Sequence, residues 1–451
     1  MNSYRKTLNA ILIVSSFAVS GAAQSTAPAP RHITVAEAVQ LALQHNHLVR
    51  IADFTIAEKQ DAKEEARSAY LPSIRNQSSI VQVTDTQFID IGVGSLGTVA
   101  GTPIPEKTGV ISQGGRTLVL SGTTLVQPLS QLFTRVKPQN QAAQADVNAS
   151  RADAQETRNE VALKVHQIYY QLLVAQLHHS ATAAKIRADQ DLEGERVQQV
   201  KYGSALNEGL IETQAQLLQT KQELLTTELQ ISDLTMQLND VMGLAVTTQL
   251  TLDSEVPTAE ETCREEECVK VALASHPEIA AARAEVEKAS AGVRLAKADY
   301  FPDVSAFARY NYQSDVPFLA RNFGTFGAEF TYDLFDGGRK RAAVRESDSR
   351  LAQAKENLAR ISDDVELKVE TALNRLNRTK EMLDVSEQVL ALRTESSRVT
   401  AQQLSKGEAL RSQADAASAQ ELDAKALLLQ SQLEYLQAHD ELLQAMGITP
   451  R

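Results

Sequence analysis

Residues 321–339 read Arg-Asn-Phe-Gly-Thr-Phe-Gly-Ala-Glu-Phe-Thr-Tyr-Asp-Leu-Phe-Asp-Gly-Gly-Arg. Phe326, Ala328, Phe330, Tyr332 and Leu334 alternate with Thr325, Gly327, Glu329, Thr331 and Asp333. Just upstream, Val304, Ala306, Ala308, Tyr310 and Tyr312 alternate with Ser305, Phe307, Arg309, Asn311 and Gln313. A period of two over about ten residues predicts strands with one apolar face, the length a tilted membrane strand needs. A soluble sheet with one buried face would share the pattern, but nothing else in the chain is sheet-like enough to supply an opposing layer. Many of the chain's Tyr and Phe residues crowd into 300–335, as rings at a lipid–water boundary would.

Outward from these strands the chain reads as rod. Its prolines leave 139–256 and 318–448 empty, and an interior proline would cost a helix about 3 kcal/mol. Leu358, Ile361, Val365, Val369, Ala372 and Leu376 form one helical face, and Leu422, Ala426, Leu429, Leu433 and Leu436 follow coiled-coil spacing. One helix is predicted from about 341 to 403, far longer than a globular core requires.

The chain also repeats itself. Residues 41–74 align without a gap with 271–304: Ala42-Leu43 with Ala272-Leu273, Val49 with Ile279, Tyr70-Leu71-Pro72 with Tyr300-Phe301-Pro302. Gly203 and Leu206 match Gly407 and Leu410, and Met242-Gly243 matches Met446-Gly447. Ordered matches at nearly constant spacing indicate duplication. The repeats are placed at 34–243 and 269–447, with an inter-repeat linker at 244–268 and a tail at 448–451. Each reads helix, two strands, long helix, turn, long helix. Strands are expected within 72–128 and 302–335, and tip turns at 201–212 and 405–416. In the first repeat Leu118, Leu120 and Val126 share a predicted strand face, 73–88 alternates poorly, and a Gly-rich exposed loop is expected at 89–116.

Residues 1–23 have the order of an export signal: Arg5 and Lys6, an apolar run from Leu8 to Val19, then Ser20-Gly21-Ala22-Ala23. A short linker at 24–33 follows. No later stretch is long and apolar enough for a membrane helix, so a membrane-inserted form must use strands. Four strands cannot close a barrel, and open edges are not tolerated in lipid. Two copies would close, but a pore wide enough for solutes favours three.

These features together resemble the TolC-like outer membrane efflux protein family. The motifs are Ala-Leu-x-x-His-Pro-Glu-Ile at 272–279, Tyr-Phe-Pro at 300–302, Leu-Phe-Asp-Gly-Gly-Arg at 334–339, and the tip glycines. The resemblance implies a mainly α fold of duplicated coiled-coil hairpins, with four strands per chain. It implies a homotrimer with a twelve-stranded outer-membrane β-barrel and a periplasmic α-helical tunnel. It implies docking to a periplasmic adaptor and an inner-membrane transporter, which would supply the energy for a passive efflux duct. The exit duct of a type I protein secretion system has the same build; a periplasmic coiled-coil adaptor or scaffold is the competitor from another class.

The tip residues Gly203, Leu206, Glu208, Glu212, Gly407, Leu410 and Asp415 are the candidates for gating and adaptor contact. Asp336, Gly337, Gly338 and Arg339 are the candidate strand-to-helix turn. The chain departs from the family pattern in places. Leu129-Ser130-Gln131-Leu132 replaces the Asp-Gly-Gly-Arg run in the first repeat. Val200 and Leu404 stand where an aromatic often precedes the tip glycine, and Gln413 and Ala416 stand at two acidic positions.

Other chemistry is thin. The net charge of −12 argues against a nucleic-acid partner. Cys263 and Cys268 are a local disulfide candidate in an oxidising compartment. A metal site joining them to His276 would lack a fourth ligand. His45, His47, His178 and His179 are expected at the surface. No catalytic motif or cofactor loop is present, so neither an enzyme nor a cofactor is expected.

Overall fold

A computed structural model describes residues 31–85, 88–112, 114–204, 206–253, 264–314 and 320–450. The export-signal segment 1–23 and Cys263 lie outside the described residues.

The chain begins with β1 (Arg31–Ile33), α1 (Val35–His45) and α2 (His47–Ser68). Thr34 opens α1 with a reciprocal cap: it accepts the Glu37 N–H at 3.2 Å, while Glu37 accepts the Thr34 N–H at 3.3 Å. Next come β2 (Ser73–Gln82), β3 (Phe88–Ile91), β4 (Thr98–Val99), β5 (Thr102–Pro103), β6 (Gly109–Ser112) and β7 (Thr117–Pro128). A π turn at Leu132–Val136 leads into α3 (Lys137–Lys201), which returns as α4 (Asn207–Val241). The second repeat follows β8 (Leu250–Leu252). It comprises α5 (Glu265–Ser275), α6 (Pro277–Ala298), β9 (Asp303–Gln313), β10 (Asn322–Thr331), α7 (Arg339–Ser405) and α8 (Arg411–Ala445).

The single short helix expected at each repeat's start is two helices. In the second repeat the break is at His276, whose extended backbone (ψ 131°) is what a residue before proline prefers. In the first it is at Asn46, whose side chain accepts the Leu48 N–H at 2.8 Å. α5 begins inside the segment expected as linker. α7 has 67 residues, about 100 Å at 1.5 Å per residue.

The four long strands form one antiparallel sheet in the order β10-β9-β7-β2. Its register sorts the side chains. Phe326, Ala308, Leu125 and Ile74 form one cross-strand row. The adjoining row, on the opposite face, is Thr325, Arg309, Thr124 and Arg75. Leu118, Leu120 and Val126 share the arginine face; the first repeat's contribution to the apolar face is Val119, Leu125, Ile74 and Ile80. The expected grouping of Leu118, Leu120 and Val126 on one face of β7 holds, but only the partner strands show which face of the sheet that is, and Ser121 and Thr123 lie with Val119 and Leu125 on the other. The expected irregular loop at 89–116 contains two small ladders, β3 with β6 and β4 with β5.

Two cores hold the helices, one per repeat. The first gathers Ile33, Val39, Ile168, Leu172, Leu238 and Met242, and also Leu433 and Leu436 from α8. The second gathers Ile279, Val365, Val369, Leu376, Leu442 and Met446. In each, a short helix and both long helices close around a Met-Gly pair. A Cβ on Gly243 would lie 2.7 Å from the His45 Cβ, and one on Gly447 2.8 Å from the His276 Cα. Both glycines have positive φ (70° and 77°), so glycine is required there twice over.

The long helices form a layer. α3 packs on α4 and α8, and α8 packs on α7, giving the order α7-α8-α3-α4. The outer members carry unpartnered apolar stripes. On α4 the stripe is Ile211, Leu218, Leu225, Leu229 and Met236; on α7 it is Met382, Val385, Leu392 and Val399. The steps are threes, fours and sevens, the spacing of a coiled-coil seam.

Candidate functional site: the helical tips

Each hairpin turns through a left-handed glycine, Gly203 (φ 69°) and Gly407 (φ 76°). The Ser204 N–H donates to Gln199 O at 2.9 Å, and the Glu408 N–H to Gln403 O at 2.9 Å. These bonds close off the last turn of each outgoing helix. Leu206 and Leu410 then take extended backbone and start the returning helices. The Leu410 N–H is held by Gln413 Oε1 at 3.1 Å, which gives Gln413 a capping task at one of the two positions where an acid was sought. Tyr202 and Leu206 are 78% and 77% exposed. They form an aromatic–aliphatic knob at the end of the rod, with Leu410 exposed beside the equivalent turn. The aromatic sought three residues before the tip glycine thus sits one residue before it, as Tyr202.

Four acids on α3 meet the returning helices. Asp189 accepts the Thr220 hydroxyl at 2.7 Å, and Glu193 accepts Gln214 Nε2 at 3.0 Å. Both partners lie on α4. The other two acids reach across to α8. Glu195 accepts the Ser412 N–H at 3.0 Å and the Ser412 hydroxyl. Arg411 Nε lies 3.5 Å from Asp191 and 3.6 Å from Asp415. The two hairpins of one chain are therefore tied near their tips by a carboxylate at the N-terminus of α8, where the helix dipole favours it. The Asp191 carboxylate beside Asp415 pushes the Asp415 carboxyl above its ordinary range; partial burial adds to this and Arg411 opposes it.

Of the sequence candidates, Asp415 enters this network. Glu208 and Glu212 stand exposed on α4 with no ion pair among the described residues. Asp191, Glu195 and Arg411 were not singled out from the sequence. Their signal was available in the run Asp189-Gln190-Asp191-Leu192-Glu193-Gly194-Glu195, acids at every second position.

At the other end, Asp336 accepts the Gly338 N–H at 2.9 Å and the Lys340 N–H at 2.8 Å. The N–H groups of Lys340 and Gly338 hold its carboxyl below the usual range. Gly337 and Gly338 supply positive φ (67° and 91°). Arg339 faces Asp333 at 3.5 Å, and Lys340 lies 5.1 Å from the Tyr332 ring centroid. The first repeat makes the same transition with its π turn. There Arg135 bridges to Asp299 at 2.9 Å, and Ser130 Oγ accepts the Val304 N–H at 2.8 Å.

Cys268 is buried and disulfide-bonded. His45 and His47 are exposed, but His178 and His179 are half-buried between helices, against Gln430 and Glu228; the surface expectation fails because helices pack on both sides of α3. His276 is buried and accepts the Glu278 N–H at 3.2 Å as a helix cap. Among the described residues no group of three or more His, Cys, Asp or Glu is placed to hold a metal ion. No described helix is long and apolar enough to cross a membrane.

Residues 268–448 match the family described as outer membrane efflux protein. None of the curated protein sequences matches the chain. Among solved structures, a membrane protein from Pseudomonas aeruginosa superposes with a TM-score of 0.73 at 18% identity, over 92% of this chain and 90% of that one. The Vibrio cholerae outer membrane protein VceC gives 0.70 at 16%, over 92% and 96%. The open-state MtrE outer membrane channel of Neisseria gonorrhoeae gives 0.70 at 16%, over 92% and 89%. The sheet, the glycine-turned hairpins and these likenesses agree: residues 268–448 match the outer membrane efflux protein family, and the chain as a whole has the TolC-like fold of such channels.

Proposed function

We propose that three copies of this chain form a passive efflux duct in the outer membrane of a Gram-negative cell. The strands would pool into a twelve-stranded barrel and the helices into a periplasmic tunnel. The observation that carries this is the pair of unlike open edges. One flank of the chain ends in β10 and α7, the other in β2 and α4. Each flank offers an unpaired strand and an apolar heptad stripe, so one copy's α7 edge suits the next copy's α4 edge. Unlike surfaces joined head to tail close into a ring when the rotation permits. Closure also removes the strand edges that lipid would not tolerate.

The tips, with Tyr202, Leu206 and Leu410 outermost, are the surfaces for a periplasmic adaptor that links the duct to an inner-membrane transporter. The acids Glu208, Glu212 and Asp415 would line the entrance, with Asp191 and Glu195. Their charge would favour cations there. Opening needs only sliding of coiled-coil helices at the tip, not rupture of either core.

The test is conductance. Purified protein in a planar bilayer should give discrete channel steps, and its detergent-solubilised mass should be three chains. A monomer that stays in plain buffer without detergent and gives no steps would overturn the reading.

A further inference from the structure

The face of the sheet that is polar on β9 and β10 carries a pair of arginines without a carboxylate partner among the described residues. Arg75 on β2 and Arg309 on β9 lie in one cross-strand row, separated by Thr124 of β7 and followed by Thr325 of β10. Arg309 Nε donates to Thr124 Oγ1 at 3.2 Å, which fixes the fork of the guanidinium against the wall. Both arginines are exposed, and neither has an ion pair among the described residues. The strands' acids on this face are Glu329, opposite Ser305, and Asp303, opposite Thr331. Glu329 is four residues along the strand from Thr325, about 14 Å at some 3.4 Å per residue. The intervening row holds Phe307, Gly327, Val126 and Ser73, which cannot screen the charge.

We infer that the barrel lumen holds a belt of guanidinium groups, two from each copy, that attracts anionic solutes and binds polyphosphate- or polycarboxylate-bearing molecules on their way out. The inference rests on the duct reading, because closure is what turns two arginines per chain into a ring. A free guanidinium presents a planar donor fork that matches phosphate and carboxylate oxygens in pairs. On β9 and β10 the opposite face is apolar, with Ala306, Ala308, Phe326 and Phe330, while on β2 and β7 it also holds the self-paired Asn76, Ser78, Ser121 and Thr123; a low-dielectric wall concentrates the field inside the tube. The duct is then electrostatically polarised along its length, acidic at the helical tips and basic in the barrel.

The test uses the full-length protein in planar bilayers, with inorganic tripolyphosphate added on the side of the β3–β6 ladder. Wild-type channels should show voltage-dependent block. In R75Q/R309Q the block should weaken by about tenfold or more, the loss expected when several charge-assisted contacts go together. The reversal potential in a KCl gradient should also shift toward cation preference. R75K/R309K, which keeps charge but loses the fork, should retain the selectivity and lose part of the block. Conducting wild-type channels that tripolyphosphate does not block, or equal block in R75Q/R309Q, would overturn the belt and leave the duct standing. Absence of conductance from every form would overturn the duct itself, and the belt with it.

Discussion

Glu195 of the first repeat caps the returning helix of the second: its carboxylate takes both the backbone N–H and the hydroxyl of Ser412, the former at 3.0 Å. This bond spans the two hairpins that the proposed opening of the tip would part. A carboxylate at a helix N-terminus contributes about 0.3–1 kcal/mol where exposed. Glu195→Gln should shift the closed-to-open balance roughly two- to fivefold toward open. Single-channel open probability reads this directly, and an unchanged value would deny Glu195 a latching role.

Acid should tighten the same region. Asp415 is held above its ordinary carboxyl range chiefly by Asp191, against the opposing pull of Arg411. The arrangement with the two acids adjacent therefore takes up a proton more readily than the separated one. Above the raised value both acids are charged and repel. As pH falls through it the repulsion is lost, so the closed contact gains stability on acidification. Conductance should fall as the pH is lowered from neutrality through that raised value, and Asp415→Asn should flatten that dependence.

The exposed tip leucines predict a different phenotype. Leu206 and Leu410 are 77% and 52% exposed and belong to neither core, so Leu206→Ser and Leu410→Ser should leave assembly intact, since surface changes away from structural features cost within about 0.5 kcal/mol. If the tips meet an adaptor, both should impair efflux. Unchanged drug susceptibility in cells carrying either variant would count against contact there.

Charges placed on the α4 stripe should act on assembly instead. Leu218→Glu with Leu225→Glu puts two carboxylates on a seam that only a neighbouring copy would cover. Each buried unpaired charge costs several kcal/mol, so detergent-extracted material should run as monomer. A trimer of undiminished stability would refute the head-to-tail arrangement.

Gly447 tests the repeat core. Its positive φ and the closeness of His276 and Pro277 leave no room for a methyl group. Gly447→Ala should lower stability by about 1–3 kcal/mol, read as an earlier thermal transition in detergent. The same change at the exposed Gly194, where nothing lies within 4 Å of an added Cβ, should be tolerated.

The helices and the second hairpin were legible in the sequence because their patterns are local. Val365, Val369, Ala372 and Leu376 recur with helical period and are buried together. Phe326 and Phe330 alternate with Thr325 and Glu329 and face the way alternation requires. The shared face of Leu118, Leu120 and Val126 on β7 was legible, but not the side of the sheet it joins, which is set by Arg309 and Phe326 on other strands. The Glu195–Ser412 bond was invisible for a related reason. It joins residues 217 positions apart, and each alone looks like an ordinary helix surface residue. The paired short helices were missed because Asn46 and His276 break the chain through their caps while periodicity continues on either side.

Leu433 and Leu436, near the C-terminus, complete the core of the first repeat beside Ile168 and Leu238. That repeat therefore has no finished interior until α8 of the other repeat is in place. A truncated product lacking the last helix would lose not one half of the protein but both.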